Sequence, residues 1–161
     1  MAEVYLLLGS NKGNREEQIT SALRLIEFRC GTIKLQSSLY ETEAWGLKEQ
    51  AAFLNKAVLL HTNLSPVNLL EALKYIEREI GRSGNVTWGP REIDIDILFY
   101  NTEIVNLPEL KIPHPYLHQR RFTLVPLNEI ACDFLHPELQ KTINHLLKQC
   151  TDTGEATLYH C

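Results

Sequence analysis

The chain has 161 residues, 44% of them hydrophobic and 22% charged, and carries a formal net charge of −4. That balance fits one compact globular domain over residues 1–161, and an acidic pI near 5.9 argues against a surface built to hold nucleic acid, which is usually basic. The opening MAEVYLLLGSNKGN has no basic leader and no segment reaches the ~20 apolar residues of a membrane helix, so neither a secretory signal nor a membrane partner is expected. Cys30, Cys132, Cys150 and Cys161 form no C-x-x-C pair and complete no zinc spacing; four free thiols suit a reducing cytoplasm.

In chain order, Val4 to Gly9 reads as a short buried strand closed by Gly-Ser-Asn. Asn14 is placed to cap a helix, with Glu17 set for a capping box, and Ile19, Ala22, Leu23 and Ile26 recur at helical spacing until Gly31 stops it. Ile33, Leu35 and Leu39 alternate with polar residues as in a strand, residues 43–51 read as a loop, and Phe53 to Thr62 as a second strand. Ser65-Pro66 starts a helix whose apolar stripe is Leu69, Leu70, Leu73, Ile76 and Ile80, with Gly81 as its end. A loop runs to about residue 92, followed by another strand. The final third is expected to hold Pro-rich loops, helices over Phe122–Ala131 and Glu138–Gln149, and a loose tail after Cys150.

Strand, helix, strand, strand, helix, strand is the split βαβ order of a ferredoxin-like α+β fold. Its antiparallel sheet packs helices on one face and leaves the other for ligands or loops, with extra helices at the C-terminus.

The stretch WGPREIDIDILFY, residues 88–100, carries the most chemistry. In a strand, residues i and i+2 share a face, so Asp94 and Asp96 are neighbours roughly 6–7 Å apart at Cα, while Ile93, Ile95 and Ile97 face a core. Like charges this close repel, and a bound cation removes the cost. Oxygen-only ligands favour Mg²⁺, which takes one or two carboxylates, waters and substrate phosphates. A D-x-D tripeptide alone reads equally well as a solvated strand face. Gly89-Pro90 turns the chain just upstream and delivers Arg91, a residue suited to phosphate oxygens, beside the pair.

WGPREIDID resembles the signature of the 6-hydroxymethyl-7,8-dihydropterin pyrophosphokinases. LLLGSN near the start, YETEAWG followed by FLN at 40–55, and IPHPYLHQRRFTLVPL at 112–127 agree with the same family. The resemblance covers nearly the whole chain. It implies a ferredoxin-like fold and transfer of the β,γ-pyrophosphoryl group of ATP to the pterin hydroxymethyl oxygen, releasing AMP. It further implies two Mg²⁺ ions held by Asp94 and Asp96, Arg82 and Arg91 as catalytic phosphate contacts, and Glu77, Trp88, Ile97, His114 and Arg120 on the ATP side. Thr42, Trp45, Phe53, Asn55 and Phe122 would then form the pterin site, the two phenylalanines stacking on opposite ring faces. The expected partners are these two small molecules, and the expected state is a monomer.

Several of these residues have plainer readings of their own. Phe53 and Phe122 pass for core aromatics, Glu77 for an exposed acid, and Arg82 for a charge favouring a helix C-terminus. Lone histidines such as His114 are more often structural, and Pro115 disfavours a helical zinc pair with His118. Arg120 and Arg121 would face opposite sides if the segment were a strand. Gly9-Ser10-Asn11-Lys12-Gly13 lacks the Gly-Lys-Ser/Thr ending of a phosphate loop and reads as a turn near the active centre. Residues 83–90 contain no basic residue where many relatives carry one or more, which leaves open two consequences: weaker ATP phosphate binding or slower loop closure, or instead a loop made more mobile by Gly84. Two rivals share the strand-borne carboxylates: a nucleotidyltransferase, which would release pyrophosphate, and a non-enzymatic small-molecule-binding module.

Overall fold

The computed structural model describes residues 1–42, 52–82 and 93–160. The chain runs β1 (Ala2–Ser10), α1 (Arg15–Arg29), β2 (Gly31–Gln36), β3 (Tyr40–Thr42), β4 (Phe53–Thr62), α2 (Pro66–Arg82) and β5 (Asp94–Tyr100). A hairpin follows, β6 (Val105–Leu107) and β7 (Leu110–Ile112), then a 3-10 turn (Leu117–Gln119), α3 (Arg121–Ala131), α4 (Ile143–Gln149) and β8 (Ala156–Leu158).

Local chemistry starts the helices where expected. The Asn14 side chain accepts from the Glu17 N–H at 3.1 Å, and the Ser65 hydroxyl accepts from Asn68 N–H at 3.2 Å. Each satisfies one of the amides that a helix start leaves without a partner. Gly81 does not stop α2, which continues to Arg82.

The main sheet has the order β5-β1-β4-β3-β8, with β2 also on β4. Its pairings are antiparallel, and with α1 and α2 they form the ferredoxin-like α+β core. β2 and β3 are successive segments along one edge of β4. The break falls at Ser37, whose N–H donates to Ala57 O at 2.8 Å and whose hydroxyl accepts from Ala57 N–H at 2.9 Å.

Two apolar clusters cover the sheet. Val4, Leu6, Leu8, Leu54, Val58, Leu60, Ile95 and Ile97 meet Ile19, Ile26, Leu69, Leu73 and Ile76 from α1 and α2. The alternate residues Tyr5, Leu7, Ala57, Leu59, Leu98 and Phe99 meet Leu124, Leu127, Ile143 and Leu146 from α3 and α4. The face expected for ligands or loops is therefore shared: the C-terminal helices take part of it and the strand ends the rest. A bulge at Leu98 keeps both halves of β5 in phase, because Leu6 opposes Ile97 while Tyr5 opposes Phe99.

Three features of the last third differ from the sequence reading, while α3 forms where a helix over Phe122–Ala131 is expected. Arg120 and Arg121 are not in a strand; Arg120 precedes α3 and Arg121 begins it. Pro126 lies inside α3, at a cost of about 3 kcal/mol. Fully buried Leu124 and Leu127 offset it, at ~1.5–3 kcal/mol each. The helix expected over Glu138–Gln149 is only Ile143–Gln149, because His136 Nδ1 accepts from the Glu138 and Leu139 N–H groups and holds a turn, with Gln140 at φ 56°. The tail expected to be loose instead forms β8 on β3.

Gly31 is needed for space, since a Cβ there would lie 2.0 Å from the His61 carbonyl oxygen. Gly31→Ala must push β2 off β4, and its unfolding free energy is expected to fall by about 1–3 kcal/mol, read by chemical denaturation. An unchanged midpoint and slope would refute this packing.

Candidate active site

Three strands bring the sequence-predicted residues to one end of the sheet. Gly9 on β1 pairs with Asn55 of β4 on one side and Asp94 of β5 on the other. Asn55 and Asp94 therefore flank it, about two strand spacings or ~10 Å apart. Both lie on the face that α3 and α4 cover further along, since Asn55 alternates with Ala57 and Leu59, and Asp94 with Asp96 opposite Leu7. The lack of a side chain at Gly9 is required: a Cβ would come within 2.8 Å of Asn55 Oδ1 and 3.6 Å of Phe53 Cδ1.

On the β4 side, Asn55 and Thr42 are both buried, and Asn55 Nδ2 donates to Thr42 Oγ1 at 2.7 Å. That bond holds the amide with its oxygen over Gly9. Phe53 and Phe122 are both half-buried, as suits rings presented to a ligand. Phe122 sits in the first turn of α3, with the Arg120 guanidinium 5.6 Å from its ring centroid and 5.3 Å from that of Tyr116.

On the β5 side, Asp94 and Asp96 are half-buried while Ile93, Ile95 and Ile97 are in the core, the alternation read from sequence. A cleft of about 210 Å³ opens along this strand and is lined by Asp94, Asp96, Glu77, Lys74, Lys111 and His114. Ile97 also borders it. Glu77 is not merely an exposed acid: its Oε2 accepts the Ile95 N–H at 2.7 Å, pinning α2 to the outer edge of β5 between the aspartates. The hairpin β6–β7, which the sequence reading missed, supplies Lys111. Its three-residue strands are too short for alternation to register.

His114 is placed by the β5 bulge, its N–H donating to Leu98 O at 3.1 Å. Its Nδ1 accepts from the Tyr116 N–H at 3.3 Å, which assigns the ring proton to Nε2 in the neutral form. Burial, with nearby Arg120 second, pulls its pKa down from 6.5 to about 4.

Ser10 and Asn11 directly follow Gly9 and are buried. Ser10 Oγ and both Asn11 amide atoms have no hydrogen-bond partner among the described residues. Such atoms cost about 1–3 kcal/mol each, which suits a place that a ligand or water completes. Trp45, Trp88, Arg91 and the Arg82 side chain lie outside the described residues.

Comparison with known proteins gives the family of the chain. Residues 5–132 match the family model of 7,8-dihydro-6-hydroxymethylpterin-pyrophosphokinase (HPPK). The chain belongs to the HPPK family. The 2-amino-4-hydroxy-6-hydroxymethyldihydropteridine pyrophosphokinase of Aquifex aeolicus is 42% identical over 94% of each chain. That of Bacillus subtilis is 45% identical over 79% of this chain and 77% of its own. The solved HPPK-DHPS of Plasmodium falciparum shares the fold, with a TM-score of 0.74 at 20% identity. The match covers 92% of this chain but 43% of the Plasmodium one. Among the described residues, no helix is long and apolar enough to cross a membrane.

The low value at His114 has a consequence for stability in this HPPK-family chain. The unfolded chain takes up that proton first, so stability is present above about 6.5 and is lost as pH falls toward about 4. His114→Gln is expected to lose less stability than wild type between pH 7 and pH 5, measured by denaturation at both. An equal loss in the two proteins would contradict a buried neutral imidazole.

Proposed function

We propose that this chain transfers the β,γ-pyrophosphoryl group of ATP to the hydroxymethyl oxygen of 6-hydroxymethyl-7,8-dihydropterin, releasing AMP, and that Gly9 is the floor between its two substrates. The observation that carries this reading is the shared pairing of Gly9 with Asn55 and Asp94. A pterin reader and a carboxylate pair stand on one sheet face at a separation suited to one small molecule meeting a polyphosphate.

The pterin lies against Asn55 and Thr42, the amide giving both a donor and an acceptor to its edge. Phe53 and Phe122 stack on its faces. The triphosphate lies along β5, where His114 offers Nε2–H and Arg120 a guanidinium to phosphate oxygens. Arg82 is the last residue of α2 and Arg91 stands three positions ahead of Asp94 in the sequence; both are assigned as phosphate contacts. Transfer then rests on positioning: an oxygen nucleophile brought in line with the β-phosphorus, without a side-chain nucleophile.

Asp94 and Asp96 are the seat of Mg²⁺, with two ions assigned. The donor set fits, because the two are half-buried oxygen donors on one strand face. Among the described residues no group of three or more His, Cys, Asp or Glu is poised for a metal; substrate phosphates would have to complete the ligands of the ion. Mg²⁺ held there would supply neutralisation of phosphate charge.

Two substitutions separate the halves of the site. Asp96→Ala should lower kcat at least about a hundredfold with the thermal midpoint retained; full turnover with normal Mg²⁺ dependence would sink the metal assignment. Gly9→Ala should displace Asn55 and raise the pterin KM about tenfold. An unchanged pterin KM would remove Asn55 from the site.

A further inference from the structure

We infer that residues 151–160 are a positioning element of the pterin site, with Asp152 and the β8 pairing each fixing one of its walls. The inference rests on the pterin assignment above.

The first wall is Thr42 with Asn55. β3 has only three residues, and β8 gives it a second neighbour: Tyr40 opposes Leu158, Glu41 opposes Thr157 and Thr42 opposes Ala156. The Tyr159 N–H adds a bond to Leu39 O at 2.9 Å. Thr42 is thereby held from both sides, by β4 and by the tail. Arg15 secures the same corner. It pairs with Glu41 at 2.7 Å, donates to Ala52 O at 2.9 Å and lies 5.6 Å from the Tyr159 ring centroid.

The second wall is the first turn of α3, which carries Phe122. Arg120 stands at the cap position and gives no side-chain capping bond. The bond comes from across the chain: Asp152 Oδ2 accepts the Arg121 N–H at 3.0 Å. Asp152 Oδ1 in turn accepts the Gly154 N–H at 2.9 Å, which orients the carboxylate. A carboxylate at a helix start is favourable on charge as well as bonding. One ten-residue segment thus touches both the strand that holds Thr42 and the helix that holds Phe122. It sets their spacing, and a flat ring between an amide and an aromatic platform is sensitive to that spacing.

The test uses full-length wild type, Asp152→Ala, Asp152→Asn and Tyr159→Pro, with KM for each substrate, kcat and the thermal midpoint measured for all four. Tyr159→Pro removes the N–H that meets Leu39. It should raise the pterin KM roughly fivefold, the equivalent of one lost hydrogen bond, with the ATP KM within about twofold. Asp152→Ala should raise the pterin KM similarly, and Asp152→Asn, which keeps an acceptor oxygen, should restore most of it. A general loss of stability would lower the midpoint without this split or this rescue. Wild-type pterin KM values in both Tyr159→Pro and Asp152→Ala would overturn the inference and leave the function standing. A wild-type chain that releases no AMP in response to pterin would overturn the function, and the inference with it.

Discussion

The site depends on β1 lying between β4 and β5 and carrying, one position before its last residue, a glycine with no side chain. From Ala2 opposite Thr62 to Ser10 opposite Leu54, β1 is locked to β4, and from Val4 to Gly9 it is locked to β5. The register is not negotiable, because both faces of β1 are buried: Val4, Leu6 and Leu8 under α1 and α2, Tyr5 and Leu7 under α3 and α4. A slip of one residue would exchange these sets between faces. The same register puts Gly9 between Asn55 and Asp94. Core packing elsewhere in the sheet therefore sets the separation of Asn55 and Asp94.

Edges and ends are secured by side chains. β5 is the outer strand, and its Ile95 N–H would otherwise face solvent; Glu77 takes it and ties the helix to the aspartate strand. At the other end β3 is short, and Glu129 of α3 grips it, accepting from Tyr40 OH at 2.6 Å and from Ser38 N–H at 2.9 Å. The cleft along β5 mixes acids with Lys74, Lys111 and a neutral His114. That mixture suits a metal–polyphosphate better than either ion alone.

Much of this was readable from residues. Phe53–Thr62 is a strand with the bounds expected, Ser65-Pro66 starts α2, and the Ile-Asp-Ile-Asp pattern buries its isoleucines. Each is a local signal with a period or a cap. What could not be read depends on distant partners. Gly9 and Gly31 matter for what lies across the sheet, and a glycine carries no mark of that. The β6–β7 hairpin and β8 have three residues per strand, too few for a period, and β8 exists because β3 offers an edge. The turn at His136 replaces helix because one imidazole nitrogen outcompetes the backbone for two amides. For the site, the residue types came from motif resemblance, while the Thr42–Asn55 bond, the Glu77–Ile95 bond and the tail's reach to α3 required coordinates.

The most direct test of the account is the identity of the adenine product. Purified protein would be incubated with ATP and Mg²⁺, with and without 6-hydroxymethyl-7,8-dihydropterin, and the nucleotides separated. AMP formed only in the presence of the pterin is the predicted result, since the pyrophosphoryl group moves as a unit to an acceptor held over Gly9. ADP, or free pyrophosphate released from ATP, would contradict it and place a different reaction in this cleft.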